Sequence, residues 1–145
     1  MSATADHAEE RTNPAARLGF QPGQVVQEIG YDDDADQELR EAIEEIIGSD
    51  IVDEDFDDVA DAVVLWFRED DGDLTDALVD ALGLIDDGSP VWLLTPKTGR
   101  DGYVEPSDIN ESAQTAGLSQ TKSISAGKDW TGSRLVTPKA AAKKR

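Results

Sequence analysis

Eight residues constrain the fold more than any others. Ala60 to Phe67 (ADAVVLWF) form a β-branched and aromatic run with little polar alternation, which belongs to a strand covered on both faces and placed centrally in a sheet. The run falls far short of the ~20 consecutive apolar residues of a membrane span, and no other segment comes nearer. Val91 to Thr95 (VWLLT) reads as a second buried strand.

Helical spacing fills the intervals. From about Ala35 to Ile47, the residues Leu39, Ile43, Ile46 and Ile47 recur at i, i+4, i+7 and i+8 and make one apolar stripe. Asp32, Asp33, Asp34 and Asp36 suit the positive end of that helix and can cap its free N–H groups, while Gly48 can close the far end. A second helix is predicted from about Leu74 to Leu84, with Asp73 as N-cap and Leu74, Ala77, Leu78, Ala81, Leu82 and Ile85 on its inner face. Asp86-Asp87-Gly88 turns the chain into the VWLLT strand, and a weaker helix from Ser107 to Ala116 ends at Gly117. Gln24 to Ile29 (QVVQEI) reads as the first strand and Ile51-Val52 as a short one. Thr121 to Ser125 and Arg134 to Val136, separated by a turn-rich Gly127 to Ser133, read as an antiparallel pair at a sheet edge.

This order predicts a three-layer α/β fold, with a mostly parallel Rossmann-like sheet and an antiparallel hairpin at its C-terminal edge. One domain is expected over residues 16–137, with an N-terminal tail at 1–15 and a basic C-terminal tail at 138–145 that both read as disordered. Ligands of such sheets bind outside the carboxyl ends of the strands, so a site is expected in the loops after Ile29, Phe67 and Thr95.

Charge divides the chain. Residues 1–90 hold 27 acids and four bases, and residues 91–145 hold five acids and nine bases, within a net charge of −19. Adaptation to high salt would acidify the whole surface, which the basic last third contradicts. The plain reading is that the acidic runs are solvated. So negative a surface excludes wrapping a phosphate backbone, and leaves Lys143, Lys144 and Arg145 in the tail as the one route to nucleic acid. Without cysteine there is no disulfide, Cys-ligated zinc, iron–sulfur cluster or thiol nucleophile. The single histidine, His7, lies in a polar stretch with no secretory pattern, so a cytoplasmic protein without membrane contact is expected.

The loop after Ile29 reads Gly30-Tyr31-Asp32-Asp33-Asp34. A nucleotide or S-adenosylmethionine site there needs several glycines for close backbone approach, and three carboxylates would repel a pyrophosphate. No cofactor is expected. A receiver domain also clusters aspartates after its first strand, but its phosphoacceptor is missing from the strand end Leu65-Trp66-Phe67-Arg68. Asp53-Glu54-Asp55-Phe56-Asp57-Asp58 alternates acids like a calcium loop, yet Asp58 stands where glycine is required and Val64 where a bidentate glutamate is. An EF-hand is thereby excluded and no metal site is expected, with only loose divalent-ion contact left open at 53–58 and 69–73.

The remaining candidates bind rather than catalyse, which leans the reading away from an enzyme without deciding it. Gly30, Arg68, Thr95 and Lys97 surround the strand-end crevice, and Lys128 to Arg134 (KDWTGSR) sets Trp130, Gly132 and Arg134 close together. Trp and Arg dominate binding hot spots, which makes this segment a candidate contact surface. The alternative is that Trp130 packs over the sheet edge and Arg134 pairs with an acid.

Leu18-Gly19-Phe20 with Pro22-Gly23, the buried central strand, Trp92 with Pro96-Lys97, Asp108 with Glu111, Ala116-Gly117-Leu118, and Asp129 to Val136 (DWTGSRLV) form a pattern over about residues 16–137. The pattern resembles a family of small bacterial proteins of unknown function, prominent in actinobacteria. The resemblance implies a fold similar to a methyltransferase trimmed of its cofactor glycines, and assigns no reaction. Through relatives with a closely spaced cysteine pair it also implies redox-responsive transcription via a sigma factor. That switch cannot transfer to a cysteine-free chain.

The expected function is a non-enzymatic interaction or regulatory module whose acidic half meets a basic protein partner, with Trp130 to Arg134 as a second contact. The alternatives are a small-molecule binder or degenerate methyltransferase-like protein using the crevice, and a transcription-associated regulator acting through a sigma factor or RNA polymerase.

Overall fold

The computed structural model describes residue 13, residues 15–86 and residues 88–138. The expectations for His7, for the tails before residue 13 and after residue 138, and for Lys143, Lys144 and Arg145 lie outside the described residues.

Strand β1 (Val26–Ile29) leads into helix α1 (Gln37–Ile47). Of the four aspartates before it, Asp36 is the cap, its Oδ1 accepting the Leu39 N–H at 3.0 Å. Gly48 closes the helix at φ 83°, a left-handed conformation that glycine adopts without a Cβ penalty. Strand β2 (Ala62–Trp66) and helix α2 (Leu74–Leu82) follow, the latter capped by Asp73. Strand β3 (Val91–Pro96) precedes helix α3 (Pro106–Thr115), whose first residue is proline, where no amide hydrogen is needed. Strands β4 (Ser119–Ser125) and β5 (Trp130–Val136) complete the sheet.

The five strands lie in the order β1-β2-β3-β5-β4. β1, β2 and β3 are mutually parallel, and β5 runs antiparallel to both β3 and β4. This is the mostly parallel sheet with an antiparallel C-terminal element that the sequence predicts. β2 is interior and wholly buried, although β3 holds the middle place. The short strand expected at Ile51-Val52 amounts to a single parallel bridge between Gln27 and Val52.

The hairpin needs one correction. Gly127 to Ser133 is not all turn, because β5 begins at Trp130 and pairs with β3 from Pro96↔Trp130 to Val91↔Leu135. Gly132 belongs inside that strand for a packing reason: a Cβ there would meet ring carbons of Trp92 at 3.3 Å. β5 also sits inside β4, so β4 is the sheet edge.

Alternation splits the core in two. Ala62, Val64 and Trp66 join Trp92, Leu94 and Trp130 beneath α1 and the 3-10 turn at Ala16–Leu18. Val63, Leu65 and Phe67 join Val91, Leu93 and Leu135 beneath α2 and α3. Each fully buried large aliphatic or aromatic side chain contributes about 1.5–3 kcal/mol relative to exposure. Two thin cores on one sheet therefore hold the strand ends in place.

Candidate functional site at the strand ends

The loops leaving β1 and β2 meet the start of β5 at the carboxyl end of the sheet, and Arg68 fills the space between them. Its guanidinium forks onto the Asp34 carboxylate through Nε, at 3.0 Å, and NH2. NH1 donates to the Gly30 carbonyl at 2.8 Å, the Trp66 carbonyl at 3.3 Å and Asp71 Oδ2 at 3.1 Å. The cation lies 5.3 Å from the Trp130 ring centroid, a cation–π distance. Arginine is suited to this role because its rigid fork of five donors can serve two carboxylates and two carbonyls at once.

Gly30 is held from both sides. Its N–H donates to Glu54 Oε2 at 3.0 Å while its carbonyl accepts from Arg68. The residue has φ 81°, and a Cβ would collide with the Trp66 carbonyl oxygen. Glycine is therefore required here by backbone conformation and by the close passage of β2.

A second network lies one turn away. Glu28 is buried, and its carboxylate accepts from Arg40 Nε at 2.7 Å, from Arg40 NH2 at 2.9 Å and from Trp66 Nε1 at 2.9 Å. The Arg40 guanidinium also lies 4.5 Å from the Tyr31 ring centroid. Three donors, two of them from one bidentate cation, offset the desolvation of the carboxylate. Hydrogen bonding to Glu28 raises the Arg40 pKa despite partial burial. Beside Glu28, the Gln27 amide donates to the Asp53 and Phe56 carbonyls at 3.0 and 3.1 Å and so pins the acidic 53–56 turn to β1.

The sequence profile of a family described as a protein of unknown function (DUF3052) matches residues 15–139. This chain belongs to that family. Uncharacterized protein Rv2239c of Mycobacterium tuberculosis (strain H37Rv) is 50% identical over 141 residues, covering 97% of this chain and 87% of the relative. Uncharacterized protein Mb2263c of Mycobacterium bovis matches equally. Among solved structures, the O-methyltransferase NcsB1 from neocarzinostatin biosynthesis superposes with a TM-score of 0.61 at 13% identity, over 94% of this chain and 57% of that one. A SAM-dependent methyltransferase from Aquifex aeolicus gives 0.52 at 13% identity, over 88% and 91%. The methyltransferase-like fold implied by the family resemblance is the fold this DUF3052 chain has.

Of the seven candidate residues, the DUF3052 fold brings Gly30, Arg68 and Trp130 together. Trp130 is buried and stands edge-on to Trp66, with centroids 4.8 Å apart. As the first residue of the interior strand β5 it packs within the core beneath α1 rather than over the sheet edge. Thr95 is buried in β3 opposite Thr131, and Lys97 turns to the hairpin, its Nζ 3.4 Å from the Gly127 carbonyl. Gly132 lies buried against Trp92, and Arg134 sits toward the far end of β5, donating to Thr121 Oγ1 at 3.1 Å. Among the described residues Arg134 is in no ion pair. Beside Trp130 a cavity of about 540 Å³ opens between Asp34, Arg100, Asp101 and Asp129. No group of three or more His, Cys, Asp or Glu among the described residues is arranged to hold a metal ion. No helix among them is long and apolar enough to cross a membrane.

The Arg68 fork has a titration signature. Its hydrogen bond, aided by its charge, holds the Asp34 carboxyl below the usual 3.8. Burial alone would lower the Arg68 pKa, but its hydrogen bonds to Asp34 and Asp71 raise it overall. Because the folded Asp34 pKa is depressed, its contribution to stability is present above the unfolded value and is lost as pH falls through the folded one. An NMR titration of Asp34 is expected to give a midpoint below 3.8 in the natural protein and a return toward 3.8 in Arg68→Met. Identical midpoints in the two proteins would show that the fork does not govern this carboxylate.

Proposed function

We propose that this protein is a non-catalytic interaction module on a methyltransferase-like scaffold, its acidic surface meeting a basic protein partner. The observation carrying this reading is that the protein's own side chains occupy the strand-end crevice. Glu54 and Arg68 take the backbone N–H and carbonyl of Gly30, and Asp34 completes the fork. The residues do not fit S-adenosylmethionine or a nucleotide at Gly30. One glycine is present where close approach needs several, and its polar groups are already bonded.

Asp34 and Glu54, from the acidic 32–34 and 53–58 segments, lie at that end of the sheet and supply the field for a basic partner. Such a field mainly raises association rate and weakens with salt. Crosslinking with mass spectrometry in the native cell is expected to join residues of these segments to a basic protein, with in vitro retention of that protein lost at high salt. Crosslinks to a sigma factor or RNA polymerase would identify the partner as transcription machinery. Absence of any partner joined through these segments would count against the reading.

A second reading, a small-molecule binder or degenerate methyltransferase-like protein, is supported by the fold likeness and by the cavity beside Trp130. Thermal melts separate the two. A specific adenosyl or nucleotide ligand at a hundredfold excess over Kd stabilises by about 2.7 kcal/mol. No shift is expected for S-adenosylmethionine or S-adenosylhomocysteine, and a saturable one accompanied by NMR amide shifts centred on Gly30 would overturn the leading reading.

A further inference from the structure

Far from Arg68, two cations face each other across the hairpin. Lys122 of β4 and Arg134 of β5 are register partners. Like charges directly opposite in a sheet destabilise it. The chain has 32 acids with which to neutralise them, yet among the described residues neither cation is in an ion pair. Both line a cleft of about 440 Å³ between β4, β5 and the 18–20 segment. Among the described residues no carboxylate lines that cleft, whereas the cavities at Trp130 and at Tyr31 are rimmed with them.

The remaining walls show what kind of anion fits. Leu18, Phe20 and Pro90 give one apolar side, and Gln24 and Thr121 add an amide and a hydroxyl. Arginine binds phosphate oxygens through a planar fork and lysine as a point charge, and together they match a dianion. We propose that this cleft binds a phosphoryl dianion between Lys122 and Arg134, on a small organic phosphate whose carbon part lies against Leu18, Phe20 and Pro90. A long polyanion is disfavoured, because a net charge of −19 repels it along its length. A single dianion is governed by the charges within a Debye length of about 8 Å. Bound there, it turns the cross-strand repulsion into attraction.

The test uses the full chain. Melting is followed in glycerol 3-phosphate and in inorganic phosphate, against sodium chloride of equal ionic strength and against glycerol. A saturable rise in Tm is expected with glycerol 3-phosphate, and one of similar size with inorganic phosphate would identify the free ion as the ligand of the same site. The double variant Lys122→Gln/Arg134→Gln is expected to melt no lower than the natural protein without anion, since repulsion is relieved, and to lose at least tenfold in phosphate affinity. NMR amide shifts on titration are expected at residues 18–24 and 119–136. Stabilisation equalled by chloride, a response retained in the double variant, or shifts centred on Arg68 would each overturn the proposal. Shifts centred on Arg68 would place the anion in the crevice, and no other outcome bears on it, so a failure of this site is distinguishable from a failure of the interaction reading.

Discussion

Gly30→Ala is expected to lose about 3 kcal/mol or more of folding stability. Left-handed backbone costs an L residue about 1–2 kcal/mol, and forcing an extra methyl into packed surroundings costs typically about 1–3 kcal/mol more. At Gly30 both terms act, since φ is 81° and the new Cβ would strike the Trp66 carbonyl oxygen. Relief requires β1 to withdraw from β2, which also strips Gly30 of its bonds to Glu54 and Arg68. At about 2–4 °C per kcal/mol the melting point falls by about 6–12 °C. Gly48→Ala is the control, with a nearly equal φ of 83° but open space around the Cβ, so that only the conformational term remains. Equal melting points for the two variants would show that the close passage of β2 has no energetic weight.

Arg68→Met keeps the length of the side chain and removes its donors. Asp34 and Asp71 lose their counter-ion and the Gly30 carbonyl loses its hydrogen bond. Removing one member of a fully buried pair costs about 3–5 kcal/mol, and the exposure of the two acids reduces the expected cost here to about 2–3 kcal/mol. The specific part is measured by a double-mutant cycle with Asp34→Asn, in which directly bonded residues couple by about 0.5–3 kcal/mol. Additive losses would mean that the fork is a surface pair and that the crevice is closed by packing alone.

Much of this fold is legible in the sequence because its strongest elements carry local signals. The stripe of α1, the apolar runs of β2 and β3, and the caps Asp36 and Asp73 each follow from a few neighbouring residues. The first half of β5 is not legible. Thr131, Gly132 and Ser133 have the composition of a turn, and only the Trp92 ring, forty residues earlier, explains why a glycine belongs in that strand. The site divides in the same way. Arg68 and Gly30 stand at strand ends, where the topology points. Glu28 is hidden as a polar position of the first strand, because its partners Arg40 and Trp66 lie 12 and 38 residues away. Its one sequence hint is the Arg at i+12, on the helix that follows. The triple aspartate of the first loop reads as a solvated run, yet Asp34 is half of the fork.

The strand order also sets a schedule for synthesis. β5 lies between β3 and β4, so a nascent chain that has produced everything through Ser125 has an exposed flank on β3 and a fourth strand with no neighbour to join. The molecule cannot finish folding until residue 136 has left the ribosome, and until then an unpaired ribbon edge is open to other polypeptides. Premature termination anywhere in the last strand would thus release a species prone to aggregation rather than a slightly shortened protein.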